Sequence, residues 1–147
     1  MKAEQTLEER NKEVIRQAIQ AFNDRDLDRF FSLHTEDTTS HEVYFPEPLG
    51  RDAFRAFLEE FLEAYPDARI ETQNMVAQGN QVAVENVFTA TFLKPLKGVQ
   101  PTGRSFAIRE GVFFELKDGK IHRARIYLDQ KTAEEQLGLR HGDGTRA

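Results

Sequence analysis

The hydrophobic period changes at Pro66, and that change limits the fold more than any other feature of the chain. Before it, apolar residues recur at helical spacing. Val14, Ile15, Ala18, Ile19 and Phe22 share one face, and Phe54, Phe57, Leu58, Phe61, Leu62 and Tyr65 form the cleanest amphipathic stripe. Pro66 ends that second stripe, because the residue before a proline disfavours the α region. After it the pattern alternates. Residues 70–77 and 81–93 read as strands joined at Gly79-Asn80, and residues 105–117 and 120–129 as strands joined at Asp118-Gly119, a type I′ hairpin signal. Helices first and a four-strand antiparallel meander second make the class α+β.

The smaller signals fit this frame. Thr6-Leu7-Glu8-Glu9 reads as a capping box that starts the first helix, and Asn23-Asp24-Arg25-Asp26 breaks it. Leu27, Phe30 and Phe31 mark a short second helix. Residues 37–48 read as a loop or irregular strand holding His41, Glu42, Tyr44 and Phe45. A long connection with Pro95, Gly98, Pro101 and Gly103 spans residues 94–103. Residues 132–137 form a last short helix ended by Gly138. The expected organisation is a single domain over residues 1–139, with a polar, frayed tail at 140–147.

Composition removes several function classes. The 147 residues contain no cysteine, which excludes disulfides, thiolate chemistry and Cys-ligated metals. A net charge of −5 argues against nucleic-acid binding. The charged N-terminus lacks the apolar core of a secretory signal, and the apolar runs are too short for a membrane span, so the expected location is cytoplasmic. His34, Glu36, Asp37 and His41 match no established metal spacing, so no metal is expected. The 12 phenylalanines fit either a large core or an aromatic-lined cavity.

A two-residue turn at Asp118-Gly119 sets a register for the last hairpin. Phe114 then faces Arg123, Val112 faces Arg125, Glu110 faces Tyr127 and Ile108 faces Asp129. Side-chain alternation places Phe106, Ile108, Val112, Phe114 and Leu116 on one apolar face, together with Glu110, Arg125, Tyr127 and Asp129. Phe113, Ala124, Ile126, Leu128 and His122 fall on the opposite, mixed face. A bulge at Gly111 would flip the faces beyond it.

In this register Arg125 should contact Glu110 or Asp129, either as a structural ion pair or as part of a site. Asp129 is the candidate acid/base residue, with Tyr127 or Arg125 as oxyanion donors; it is equally placed to cap the final helix. His41 is a candidate ligand-contacting residue at the pocket mouth, or a solvated loop histidine. The pocket is expected to be lined by Phe88, Phe106, Val112, Phe114 and Tyr127 under the first and third helices, with Tyr44 nearby.

The chain resembles the SnoaL-like polyketide cyclases of the nuclear-transport-factor-2-like, or ketosteroid-isomerase-like, superfamily. The resemblance runs from about Asn11 to Leu139. It rests on Phe22-Asn23-Asp24-Arg25-Asp26-Leu27, Tyr65-Pro66-Asp67, Pro95-Leu96-Lys97-Gly98, Pro101-Thr102-Gly103-Arg104, Asp118-Gly119-Lys120-Ile121, Tyr127-Leu128-Asp129-Gln130 and Gln136-Leu137-Gly138-Leu139. It implies a cone-shaped α+β roll, cystatin-like, in which a curved antiparallel sheet wraps the N-terminal helices and opens onto a hydrophobic pocket. It also implies cofactor-free and metal-free aldol cyclisation of a hydrophobic, oxygenated small molecule. Asp129 matches the family's acid/base aspartate, and the position that often holds a histidine is Phe92 here. The Tyr-Asp-Asp set of the ketosteroid isomerases is not matched.

The expected catalytic set is therefore Asp129, Arg125, Glu110 and His41. The same residues could serve an epoxide or ester hydrolase through an Asp–Arg–carboxylate set. The other class of function is a non-catalytic binding or dimerisation module. The resemblance further implies a homodimer through the outer sheet face, where Phe113, Ala124, Ile126 and Leu128 would meet a second copy.

Overall fold

The computed structural model describes residues 4–43 and 45–139. Tyr44, the tail from residue 140 onward and His141 within it lie outside the described residues.

Helix α1 spans Leu7–Asn23, and the Thr6 hydroxyl accepts from the Glu9 backbone as the capping box requires. Helix α2 (Leu27–Ser32) follows, capped by the Asp26 side chain. Strands β1 (His34–Glu42) and β2 (Leu49–Gly50) lead into α3 (Arg51–Ala64). Strands β3 (Arg69–Gln78), β4 (Gln81–Thr91), β5 (Ser105–Lys117) and β6 (Lys120–Leu128) form the meander, and α4 (Gln130–Leu137) closes the described chain.

The sheet order is β2-β1-β6-β5-β4-β3. The four-strand expectation is thus corrected to six strands. The segment read as a loop or irregular strand is a strand over His34–Glu42, and it pairs with β6 in parallel. Its polar residues hid it. Thr38, Ser40 and Glu42 take one face and Thr39 and His41 the other, with no apolar residue to mark the alternation.

Helices α1 and α3 pack across the concave side of the sheet, burying Ile15, Ala18, Ala21 and Phe22 from one helix and Phe54, Leu58 and Ala64 from the other. Phe31 and Phe92 are each 1% exposed, and burial of such a ring stabilises the fold by about 2–3 kcal/mol. Polar ties set where α1 lies. Asn23 exchanges two hydrogen bonds with the backbone of Ile70, at 2.8 and 2.9 Å, and the Glu8 carboxylate accepts from the Gly79 N–H at 2.9 Å.

Asp118 and Gly119 both have positive φ, 51° and 78°, as a type I′ turn demands, and Lys117 faces Lys120. The register then departs from the sequence expectation. Leu116 pairs with Ile121 but Glu115 pairs with Arg123, so His122 is an extra residue, bulged out of the ladder. Strand β1 holds it there. The Thr38 hydroxyl donates to the His122 carbonyl at 3.0 Å, and Thr35 Oγ1 lies 3.1 Å from His122 Nδ1.

No bulge occurs at Gly111; β4 and β5 pair without a break from Gln81↔Glu115 to Thr91↔Ser105. The bulge at His122 inverts β6. Phe114 faces Ala124, Val112 faces Ile126, Gly111 faces Tyr127 and Glu110 faces Leu128. Among the described residues, no helix is long and apolar enough to cross a membrane.

Candidate functional site

The helices and the concave sheet face enclose a cavity of about 160 Å³. One wall is aromatic. Phe22 from α1, Phe57, Phe61 and Tyr65 from α3 and its end, and Phe88 and Phe106 from β4 and β5 line it. These rings brace one another: Phe88 meets Phe106 edge-on at 5.2 Å, and Tyr65 stacks between Phe61 at 4.6 Å and Phe92 at 4.9 Å. Burial pushes the Tyr65 phenol up to about 12.

The opposite wall carries the polar groups. His34, Ser40 and Glu42 come from β1, Glu110 from β5 and Gln130 from α4. Leu96 and Lys97 border the cavity from a small hairpin whose tip, Lys97-Gly98, has positive φ at both residues. The Lys97 ammonium lies 3.1 Å from Glu60 on α3.

Glu110 is 8% exposed, and its Oε1 accepts from Asn86 Nδ2 at 3.0 Å. Asn86 in turn accepts from the Thr72 hydroxyl at 2.9 Å, which fixes the amide's orientation. Burial is the largest influence on the Glu110 carboxyl and raises its pKa to about 7; Asn86 opposes this, and the charge of Glu42 adds to it. His34 is displaced the other way. Burial pulls it down to about 4, against the hydrogen bond to the Phe30 carbonyl and with the help of the Arg51 charge.

The expected site residues divide by face. Glu110, Phe88, Phe106, Val112 and Phe114 line the cavity. Arg125 and Tyr127 do not, because the His122 bulge turns them outward. Arg125 sits 3.3 Å from Glu115, not beside Glu110 or Asp129, and Tyr127 is 46% exposed against Phe113. Ala124, Ile126 and Leu128, expected outside, line the cavity instead.

Asp129 caps α4. Its carboxylate accepts from the Thr132 N–H at 3.1 Å, and hydrogen bonding from the Thr132 side chain, with that N–H second, holds its pKa below the ordinary value. With Tyr127 it borders a second depression that Arg109, Glu85 and Gly111 also line, and Glu110 and Leu128 border both this depression and the cavity. His41 pairs with Arg125 in the sheet and places Nε2 2.9 Å from the Phe45 carbonyl, so it fastens the segment after β1. The Asp–Arg–carboxylate set is therefore not assembled.

Sequence reasoning missed His34, Ser40 and Glu42 as cavity residues. The period-two spacing of Thr38, Ser40 and Glu42 was the available signal. Phe92 is a core ring stacked on Tyr65. Among the described residues, no group of three or more His, Asp or Glu side chains is placed to hold a metal ion.

Three solved structures show what the chain is similar to. IdmH of Streptomyces antibioticus, described as a candidate polyketide cyclase, is 26% identical, with 88% of this chain and 99% of that one covered at a TM-score of 0.76. A candidate polyketide cyclase of Xanthomonas campestris pv. campestris is 25% identical over 90% of this chain and 99% of that one, at 0.79. A Catenulispora acidiphila protein with a ketosteroid isomerase-like fold shares that fold at 16% identity, 87% and 94% coverage and a TM-score of 0.74. The family model for SnoaL-like polyketide cyclases matches residues 12–137. The curved α+β sheet, the cavity it encloses and this match over most of the sequence agree, and the chain belongs to the SnoaL-like polyketide cyclase family.

Proposed function

We propose that the cavity is the active site of a cofactor-free acid/base enzyme of cyclase or isomerase type, acting on a small, hydrophobic, oxygenated substrate. One observation carries this reading: two carboxyl groups, Glu42 and Glu110, face into a cavity that is otherwise aromatic on its far wall. Their environments separate their tasks. Glu110 holds a proton to near neutral pH and can donate to a carbonyl oxygen as an enolate develops. Glu42, on the same wall, is the carboxylate that takes the proton from the adjacent carbon. Family membership and the likeness to candidate cyclases support the same class of chemistry.

The simplest probe is 3-cyclohexenone, a single ring whose conversion to the conjugated enone needs one proton removed and one returned. Turnover is expected, with kcat falling as pH rises through about 7, because Glu110 must keep its proton to donate it. Glu42→Gln and Glu110→Gln should each lower kcat by about a hundredfold or more. Unchanged rates in both variants would refute the reading. A rate that instead climbs through pH 7 would make Glu110 the base.

Assembly through the outer sheet face is proposed on a revised set of residues. Val76, Phe113 and Tyr127 are exposed there, and aromatic side chains of this kind favour a contact with a second copy. Sedimentation of a dimer that Phe113→Lys dissociates would support this; a monomeric parent protein at micromolar concentration would remove it.

A further inference from the structure

His34 opens β1 where the chain leaves α2, and it is 5% exposed. Its ring lies among Phe30, Phe31 and Phe54, with centroids at 4.6, 5.4 and 6.3 Å. Arg51 fixes the backbone beneath it, donating from Nη1 to the carbonyls of His34 and Thr35 at 3.2 and 3.1 Å and from Nη2 to that of Phe31 at 2.7 Å. The ring therefore has little freedom to turn.

Nδ1 lies 2.8 Å from the Phe30 carbonyl oxygen. A carbonyl only accepts, so Nδ1 carries the ring's proton and Nε2 presents a lone pair. Burial keeps the ring neutral at ordinary pH. Among the described residues, Nε2 has no protein donor, and His34 lines the cavity. An acceptor on the wall of a largely apolar cavity gains a hydrogen bond when a bound molecule brings a donor to it.

We propose that Nε2 of His34 accepts a hydrogen bond from a ligand hydroxyl, so that the cavity selects a neutral, single-ring molecule bearing a hydroxyl group. This rests on reading the cavity as the ligand site. Its volume sets the size, since about 160 Å³ is close to the roughly 150 Å³ of an engineered apolar cavity that takes up benzene. The wall chemistry sets the polarity. A carboxylate or phosphate brings acceptors and negative charge, and would meet the His34 lone pair and the Glu42 carboxyl group on the same wall. A hydrocarbon fits the aromatic wall but leaves Nε2 without a donor. A site with a buried polar group rejects the analogue lacking its partner more strongly than it rejects a change in size.

The matched probes are p-cresol and p-xylene, which differ by a hydroxyl in place of a methyl. Their affinities for the intact protein can be measured by NMR titration. The expected result is p-cresol bound about tenfold tighter than p-xylene, with His34→Phe abolishing the preference while still binding p-xylene. In the unmodified protein, the ¹⁵N shift of His34 Nε2 should lie in the unprotonated range and move on adding p-cresol but not p-xylene. This second readout holds even if the variant does not fold. Equal affinities for the two probes, or a protonated Nε2, would overturn the proposal. Binding of neither probe would overturn both the proposal and the cavity reading. A clear p-cresol preference, with 3-cyclohexenone shown by the same NMR titration to occupy the cavity yet not converted, would uphold this proposal and reject the acid/base reading alone.

Discussion

On the inner face of the β5–β6 ribbon, Glu110 is 8% exposed beside Val112, with one hydrogen-bond donor and a proton held to about pH 7. On the outer side of the same ribbon, Arg125 pairs with Glu115 across a partly solvated gap, and Asp129 caps a helix with its proton affinity lowered. The two regions use the same chemical groups, and sequence reasoning placed them together. What separates them is one bulged residue. His122 steps out of the ladder, and every β6 side chain beyond it changes face. A carboxylate acquires unusual acid/base behaviour from desolvation without full compensation. Glu110 has that environment and Asp129 does not.

The largest expected effect separates the two carboxyls by function. Glu110→Gln should reduce 3-cyclohexenone isomerisation by about a hundredfold or more, whereas Asp129→Asn should leave it unchanged, because asparagine is also a good helix cap. Steady-state rates of the two variants check this, and equal losses would erase the distinction between the faces.

The next effect is on stability. A native carboxyl with raised proton affinity favours folding at low pH and costs stability as pH rises from its ordinary value toward its native one. For Glu110 that window runs from 4.5 to about 7 and amounts to on the order of 3 kcal/mol. Glu110→Gln should therefore gain stability over the parent between pH 4 and pH 8, read by urea denaturation at both. His34 acts in the opposite direction. Its native value of about 4 against 6.5 means that stability is lost as pH falls through that interval. His34→Phe should flatten the acid side of the parent's profile.

The smallest effect belongs to the outer ion pair. Arg125→Ala should cost about 1 kcal/mol or less and leave turnover unaltered. A large loss of either would show that the outer face contributes more than its exposure suggests.

The α+β order was legible because Pro66 divides two clean periods, and the Asp118-Gly119 turn was legible because φ > 0 at both positions has a strong residue signature. The inward row Phe106, Ile108, Glu110, Val112 and Phe114 followed from alternation along a strand that carries no bulge. Strand β1 was not legible, since its inward residues Thr38, Ser40 and Glu42 are polar and gave no hydrophobic signal. The bulge was not legible either. It depends on Thr35 and Thr38 of β1 engaging His122, a contact between segments more than 80 residues apart. With β1 unread, nothing in the hairpin's own sequence called for it. Three of the five polar residues of the cavity wall, His34, Ser40 and Glu42, were lost with that strand.

Site-resolved titration of the carboxyl carbons by ¹³C NMR tests the central claim most directly. The account predicts that Glu110 titrates with a midpoint of about 7 while Asp129, in the same sample, titrates below the ordinary aspartate value. Glu110 titrating in the ordinary glutamate range, or Asp129 titrating above Glu110, would contradict it.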